Sequence, residues 1–395
     1  MRCPCCFFGA FPNRRIRPSR VSRFDRRCLV ALLTFTFYNR SLLVVRHGSA
    51  HDVEDIRYER QGSMKKVLVT GGAGYKGCVL IPKLLNAGYE VVVYDAMLFG
   101  SAGLPTDPHL NIVKGDIRET RMYAAAVEGC DFVIHMACIS NDPSFELHPQ
   151  LSRTINYECF EPLVLASKRA GVRRFVYVST SSVYGVSEAP EVTEEHPLVP
   201  LTDYNKYKGL CEPLLLRHLS DKFVPVILRP ATVCGYSPRM RFDLTVNILT
   251  NHAVNRGLIT VFGGAQKRPN IHIDDVTELY LKMLEFPDEM VAGQIFNAGY
   301  ENHTVARLAD IAKKVVEKEF PERAPIRIET TTTNDNRSYH VSSRKIAERL
   351  GYRPTRTIED AVRDLCCAFR AGKFENSMTN DSYVNVKAVK KLGLQ

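Results

Sequence analysis

The sequence predicts an α/β protein, a doubly wound parallel sheet followed by a smaller C-terminal domain. Two observations carry this. From residue 65 onward, short runs rich in β-branched and aromatic residues alternate with stretches of helical length. Most of the runs are largely apolar, as strands covered on both faces require. Composition agrees. Of 395 residues, 45% are hydrophobic and 24% charged, with 24 Gly and 21 Pro, which permits a sizeable core and excludes collagen-like and low-complexity chains.

In chain order, residues 65–70 form the first strand and end in a glycine-rich turn. Runs at 91–94, 111–114, 132–135, 175–179 and 224–229 follow as five further strands. Pro82, Pro162 and Pro213 fall within the intervening helices, where each should cost a hydrogen bond and introduce a kink. After Pro230 the pattern loosens, with helices expected at 305–318 and 358–370, and with 271–276 and 295–299 returning to the sheet. No internal repeat is visible. The organisation expected is an extension over 1–63, a dinucleotide-binding domain over 64–230 and a second, substrate-binding domain over 231–395.

The extension holds twelve Arg, no Lys and five acids. That is most of the chain's net charge of +10, so the remaining body is nearly balanced and has no electrostatic footprint for nucleic acid. The apolar run 28–38 is too short to span a bilayer. Three readings of the extension stay open: upstream sequence before a start at Met64, an Arg-rich transit peptide, or a signal anchor. The catalytic body is expected to be cytoplasmic and not to engage a membrane. Eight cysteines lie in the body without a C-x-x-C pair, which favours core thiols over a disulfide framework. Cys3-Pro-Cys5-Cys6 contains a lone C-x-x-C with no second ligand pair, so no metal is expected.

The turn Thr70-Gly-Gly-Ala-Gly-Tyr-Lys-Gly77 places Gly71, Gly74 and Gly77 between a strand and a helix. There the backbone can approach a pyrophosphate that the helix N-terminus attracts. This is a Rossmann-type fingerprint, in which Tyr75 and Lys76 belong to the same turn. Asp95 ends the second strand, where a carboxylate can accept both ribose hydroxyls. The segment 95–99 supplies no cation for a 2′-phosphate, so NAD rather than NADP is expected. Asp116 and Ile117, after the third strand, are placed to meet the adenine.

Tyr204 and Lys208 stand at i and i+4, on one face of a helix. A phenol is a poor base at neutral pH, and an ammonium one turn away stabilises its phenolate. An isolated Y-x-x-x-K is often only an exposed helical turn. Here Ser179-Thr-Ser-Ser-Val-Tyr-Gly185 precedes it at a strand end and offers Thr180 as a hydroxyl for the reacting oxygen.

With these motifs in place, residues 65 to about 365 resemble the extended short-chain dehydrogenases/reductases, also called the NAD-dependent epimerase/dehydratase family. The resemblance implies Thr180, Tyr204 and Lys208 as catalytic residues and NAD as cofactor. It also implies that Val133-Ile-His-Met-Ala137 brings Met136 and Ala137 under the nicotinamide, and that Asn156 orders the site. Leu228-Arg-Pro-Ala-Thr-Val-Cys-Gly235 resembles the segment beside a nucleotide-sugar substrate, with Thr232 where the family has Asn. Arg268 and Arg337 resemble contacts to the substrate diphosphate. Lys76 departs from the family's apolar residue. Ser181-Ser182 departs from the carboxyl residues that dehydratases and decarboxylating relatives carry after the threonine, because two serines cannot act as their acid/base. The resemblance is therefore to the epimerase branch, typified by UDP-glucose 4-epimerase. A 4-keto reductase using the same residues, or a non-catalytic NAD-sensing or RNA-binding relative, are the alternatives. A homodimer is compatible with the resemblance.

Overall fold

All six expected strands form: β1 (Lys66–Thr70), β2 (Glu90–Asp95), β3 (Leu110–Lys114), β4 (Phe132–His135), β5 (Arg174–Val178) and β6 (Val224–Pro230). The computed structural model describes residues 64–333, 338 and 340–391, so the expectations for residues 1–63 and for Arg337 lie outside the described residues. Shorter strands follow: β7 (Thr232–Cys234), β8 (Leu258–Phe262), β9 (Lys267–His272), β10 (Ile295–Ala298), β11 (Glu301–Thr304) and β12 (Arg327–Thr331).

The main sheet has seven strands in the order β3-β2-β1-β4-β5-β6-β10, parallel throughout. Alternation of side chains divides its apolar residues between two layers. Val67, Val69, Val93, Ile134, Val176 and Val226 face one side, under helices Gly77–Asn86 and Ile273–Glu285. Leu68, Val92, Val133, Phe175, Tyr177 and Ile227 face the other, under helices Thr120–Val127, Phe160–Arg169 and Asp203–Leu216. A further core joins helices Thr245–Arg256, Val305–Glu319 and Ile358–Arg370 with β8.

One of the two expected returns to the sheet changes in form. The 295–299 segment does return, as β10 beside β6. The 271–276 segment does not join the main sheet as a strand: it closes β9, which pairs with β7 and β11 in a small sheet, and then opens the helix Ile273–Glu285. Its apolar spacing, Ile273, Val276, Leu279, Tyr280 and Met283, is that of a helix packed on the sheet. Pro82 and Pro213 do lie inside helices. Pro162 sits in the first turn of Phe160–Arg169, directly after a π-helical turn at Thr154–Glu158. Its missing N–H falls where a helix has free donors anyway. No helix among the described residues is long and apolar enough to cross a membrane.

Candidate active site

The strand order places β1 next to both β2 and β4, the point where successive connections diverge to opposite sides. At such a switch point a crevice opens at the carboxyl ends of the strands. It is present here as a cavity of 590 Å³. The glycine turn forms its floor. Gly71 has φ +72°, and a Cβ there would stand 2.9 Å from the backbone of Ala137. A Cβ on Gly77 would collide with the carbonyl of Gly72. The turn is thus closed against side chains and open to a ligand. No side chain caps the helix Gly77–Asn86 and no acid lies in its first turn, which leaves its positive end for an anion. The residues present fit the pyrophosphate of a dinucleotide. Gly74 lines the cavity with them.

Thr70 ties β1 to β4. Its Oγ1 accepts the amides of Met136 (3.1 Å) and Ala137 (3.2 Å), so its own proton goes to His135 Nδ1 at 3.0 Å. His135 is therefore neutral, with the proton on Nε2. Burial and, secondarily, Lys208 push its pKa down to about 3. Asn156 lies in the π-helical turn and grips one residue with both ends of its amide: Oδ1 accepts from Ile139 N (2.8 Å) and Nδ2 donates to Ile139 O (3.0 Å). It fixes the segment after β4 from behind and does not itself line the cavity.

Asp95 faces the cavity and accepts from Ala73 N (3.0 Å) and Met97 N (2.8 Å). Burial raises its pKa, opposed by those two amides and by Arg239. Sequence reasoning found no cation beside Asp95, and Arg239 is one, arriving from the second half of the chain. Its guanidinium lies 3.7 Å over the Phe99 ring and donates to Asn385 Oδ1 at 2.6 Å. Asp116 is held by the guanidinium fork of Arg118 at 2.6 Å. Burial opposes its ionisation, but the Arg118 bonds win and its pKa is lowered. Ile117 is buried beside it and lines the same wall.

Thr180, Tyr204 and Lys208 converge on this cavity from two elements, the end of β5 and the helix Asp203–Leu216. Thr202 caps that helix and fixes where the tyrosine begins. The expected Tyr204–Lys208 partnership takes a different form. Lys208 Nζ donates to Val178 O at 2.6 Å and lies 4.4 Å from the Tyr177 ring centre. The Tyr204 phenol is pushed well above its ordinary value, first by burial, then by Cys138 and Asp142; the cation pulling it down is Arg241. Thr180 Oγ1 lies 2.8 Å from Ser182 Oγ and accepts from Ser182 N.

Behind these residues runs a buried network. Glu212, one turn beyond Lys208, accepts from Ser179 Oγ (2.7 Å) and from Arg229 at Nε (3.0 Å) and Nη2 (2.6 Å). Arg229 Nη1 donates to the Tyr184 hydroxyl, which donates to Asn297 Oδ1. The strand that carries Thr180 is thereby locked to the helix that carries Lys208.

The second half of the chain supplies the opposite wall. Thr232 and Arg268, both expected from the sequence, face the cavity from β7 and β9. Tyr75 bridges the halves: its hydroxyl donates to Gly235 O (2.6 Å) and accepts from Asn247 Nδ2 (3.1 Å). That commits its side chain to a strut and leaves its main chain for a ligand. Arg239, Arg241 and Cys138 also line the cavity and were not anticipated. The visible signal for the two arginines was the alternation Arg239-Met-Arg241-Phe-Asp243, charged residues spaced for one face of an extended segment.

One cluster of metal-ligand type exists among the described residues, His272 with Asp274 and Asp364, away from this cavity. His272 Nδ1 accepts from Asp274 N, which leaves the proton on Nε2, facing Asp364 at 3.2 Å. Arg356 and Lys83 already balance the two acids. It is an ion-pair network.

Residues 67–299 match the model of the NAD dependent epimerase/dehydratase family. The UDP-glucose 4-epimerase of Lactobacillus helveticus is 27% identical over 316 residues, spanning 75% of this chain and 94% of its own length. Among solved structures, MoeE5 in complex with UDP-glucuronic acid and NAD aligns with a TM-score of 0.67 at 25% identity, covering 78% of this chain and 99% of that one. DesIV, a dTDP-glucose 4,6-dehydratase from Streptomyces venezuelae with NAD and TYD bound, aligns with a TM-score of 0.69 at 25% identity, covering 78% and 98%.

Proposed function

The chain belongs to the NAD dependent epimerase/dehydratase family, and from that premise we propose that it is a nucleotide-sugar epimerase working through transient oxidation at sugar C4, in the manner of UDP-glucose 4-epimerase. Its cofactor is NAD, which when bound takes a hydride from a sugar carbon and returns it. Gly71, Gly74 and Gly77, with the uncapped helix behind them, would hold the pyrophosphate. Asp95 would accept the ribose hydroxyls, and Asp116 and Ile117 would flank the adenine. Met136, Ala137 and Asn156 would shape the nicotinamide end.

Tyr204 Oη removes the proton of the sugar hydroxyl as the carbon is oxidised and gives it back on the return step. Thr180 Oγ1 shares that hydrogen bond and orients the hydroxyl. Lys208 is buried one turn from Tyr204 and donates to Val178 O. A cation one helical turn away favours the phenolate, against the burial that holds the phenol up. Thr232, Arg268 and Arg337 would bind the nucleotide sugar, the arginines through its diphosphate.

One observation carries the epimerase reading over a dehydratase: the groups beside Thr180 are hydroxyls. Ser182 Oγ sits 2.8 Å from Thr180 Oγ1, and Ser181 is buried. Dehydration needs a carboxyl acid/base next to the transient ketone. The carboxylates of Asp142 and Asp243, which also face the cavity, are engaged by Thr202 and Arg241.

The test is incubation of the purified protein, without added NADH, with UDP-glucose, UDP-galactose and their N-acetyl forms, followed by NMR. Interconversion of 4-epimers is expected. Stoichiometric NADH consumption with a 4-keto nucleotide sugar, and no interconversion, would move the reaction to the reductase class.

A further inference from the structure

Lys76 lies in the glycine turn between Tyr75 and Gly77, and its side chain turns into the cavity rather than out to water. Its Nζ stands 3.4 Å from the Tyr280 hydroxyl and 5.6 Å from the centre of that ring. The groups that face it are Tyr280 from helix Ile273–Glu285, Cys138 from the segment after β4, Lys208 from helix Asp203–Leu216 and Arg241 from the segment after β7. None is a carboxylate. Cys138 and Arg241 act on both Lys76 and Tyr204, so Lys76 adds an ammonium, alongside Lys208, to the part of the cavity that holds Tyr204.

We propose that Lys76 sets the redox preference of the dinucleotide pocket: its charge disfavours the cationic oxidised nicotinamide and favours the uncharged reduced one. The inference rests on the NAD reading of the cavity. Its physics is like-charge repulsion in a site screened from water, where a unit charge acts far more strongly than in bulk solvent. Taking up a hydride removes the ring's positive charge and relieves the repulsion. A pocket built this way makes its bound cofactor a stronger oxidant and holds the hydride once it is taken. Burial, reinforced by Lys208 and Arg241 and opposed by Cys138, pushes the Lys76 ammonium down to about 8. It is mainly protonated at pH 7 and mainly neutral at pH 9, so the preference should weaken across that interval.

Dissociation constants for NADH, by fluorescence, and for NAD, by competition, test this on the full-length protein. Lys76→Met should lower the ratio Kd(NAD)/Kd(NADH) at least tenfold, about 1.4 kcal/mol. Lys76→Arg, which stays charged, should keep the wild-type ratio. Between pH 7 and 9 the ratio should fall in the wild type and hold in the Arg variant. A Met variant that binds both forms with a ratio within threefold of wild type would overturn the proposal. Should that variant fail to fold, an equal pH response of wild type and Lys76→Arg overturns it instead. Binding of neither dinucleotide by the wild type would remove the NAD reading and this inference with it.

Discussion

Glu212→Gln should destabilise the protein far more than a change of one atom suggests. Both members of the Glu212–Arg229 pair are buried, at 2% and 3% exposure, and the guanidinium binds both carboxylate oxygens. Glutamine keeps an acceptor for Ser179 and for Arg229 Nε but turns an N–H₂ toward Arg229 Nη2, a donor against a donor. The guanidinium loses its counter-charge where water cannot replace it. Breaking a buried pair from one side costs about 3–5 kcal/mol. Over roughly 320 described residues, at about 2.1 cal/mol/K each, this corresponds to a fall in Tm of about 4–8 °C. Calorimetry or urea unfolding reads it directly. Changing both partners, Glu212→Gln with Arg229→Met, should recover a large part, because no naked charge is left. A loss below about 1 kcal/mol for the single variant is what an exposed pair gives, and it would refute the claim that this network locks the Thr180 strand to the Lys208 helix.

Three further outcomes concern the site. Tyr204→Phe should abolish turnover while NAD remains bound, since it removes only the proton-carrying oxygen; turnover within tenfold of wild type, about 1.4 kcal/mol of barrier, would remove the tyrosine from that role. Because burial holds the phenol above its ordinary value in the free protein, its ionised fraction grows with pH, so kcat/KM should rise toward alkaline pH. Asp95→Ala should shift preference toward NADP, as Arg239 then faces a 2′-phosphate without the opposing carboxylate. The double variant with Arg239→Ala should lose that gain, and competitive titration of NAD and NADP measures both.

The parts of this molecule that the sequence revealed share a physical property: each is a local pattern. The sheet strands are short β-branched runs, mostly apolar, the glycine turn is a spacing of eight residues, and Tyr204 with Lys208 is one turn of helix. Such patterns depend on the backbone geometry of their own segment, so they survive without knowledge of the rest of the chain. The 271–276 run shows the limit of this, since six residues with apolar ends fit a strand, and only the continuation through Leu279, Tyr280 and Met283 shows the helical period. The charges that tune the site are of the other kind. Arg239 reaches Asp95 from 144 positions downstream, and nothing in either segment announces the meeting.

That division explains why the Tyr204–Lys208 pair is legible as a spacing while the direction of its ammonium is not. Helical geometry guarantees that the two residues share a face, yet it leaves open where the ammonium points. Tertiary structure decides that, by offering Lys208 the Val178 carbonyl and the Tyr177 ring, and by bringing Arg241, Asp142 and Cys138 to the phenol instead. The free site is consequently one in which burial holds the phenol protonated and Arg241 is the cation that acts on it. A ligand that fills the cavity buries the phenol further, so only added positive charge can bring it down. Activation of the tyrosine would therefore come from the cationic ring of oxidised NAD: a Tyr204 titration that moved to lower pH on adding NAD, and less on adding NADH, would be its direct signature, whereas an unmoved titration would place the activating charge elsewhere.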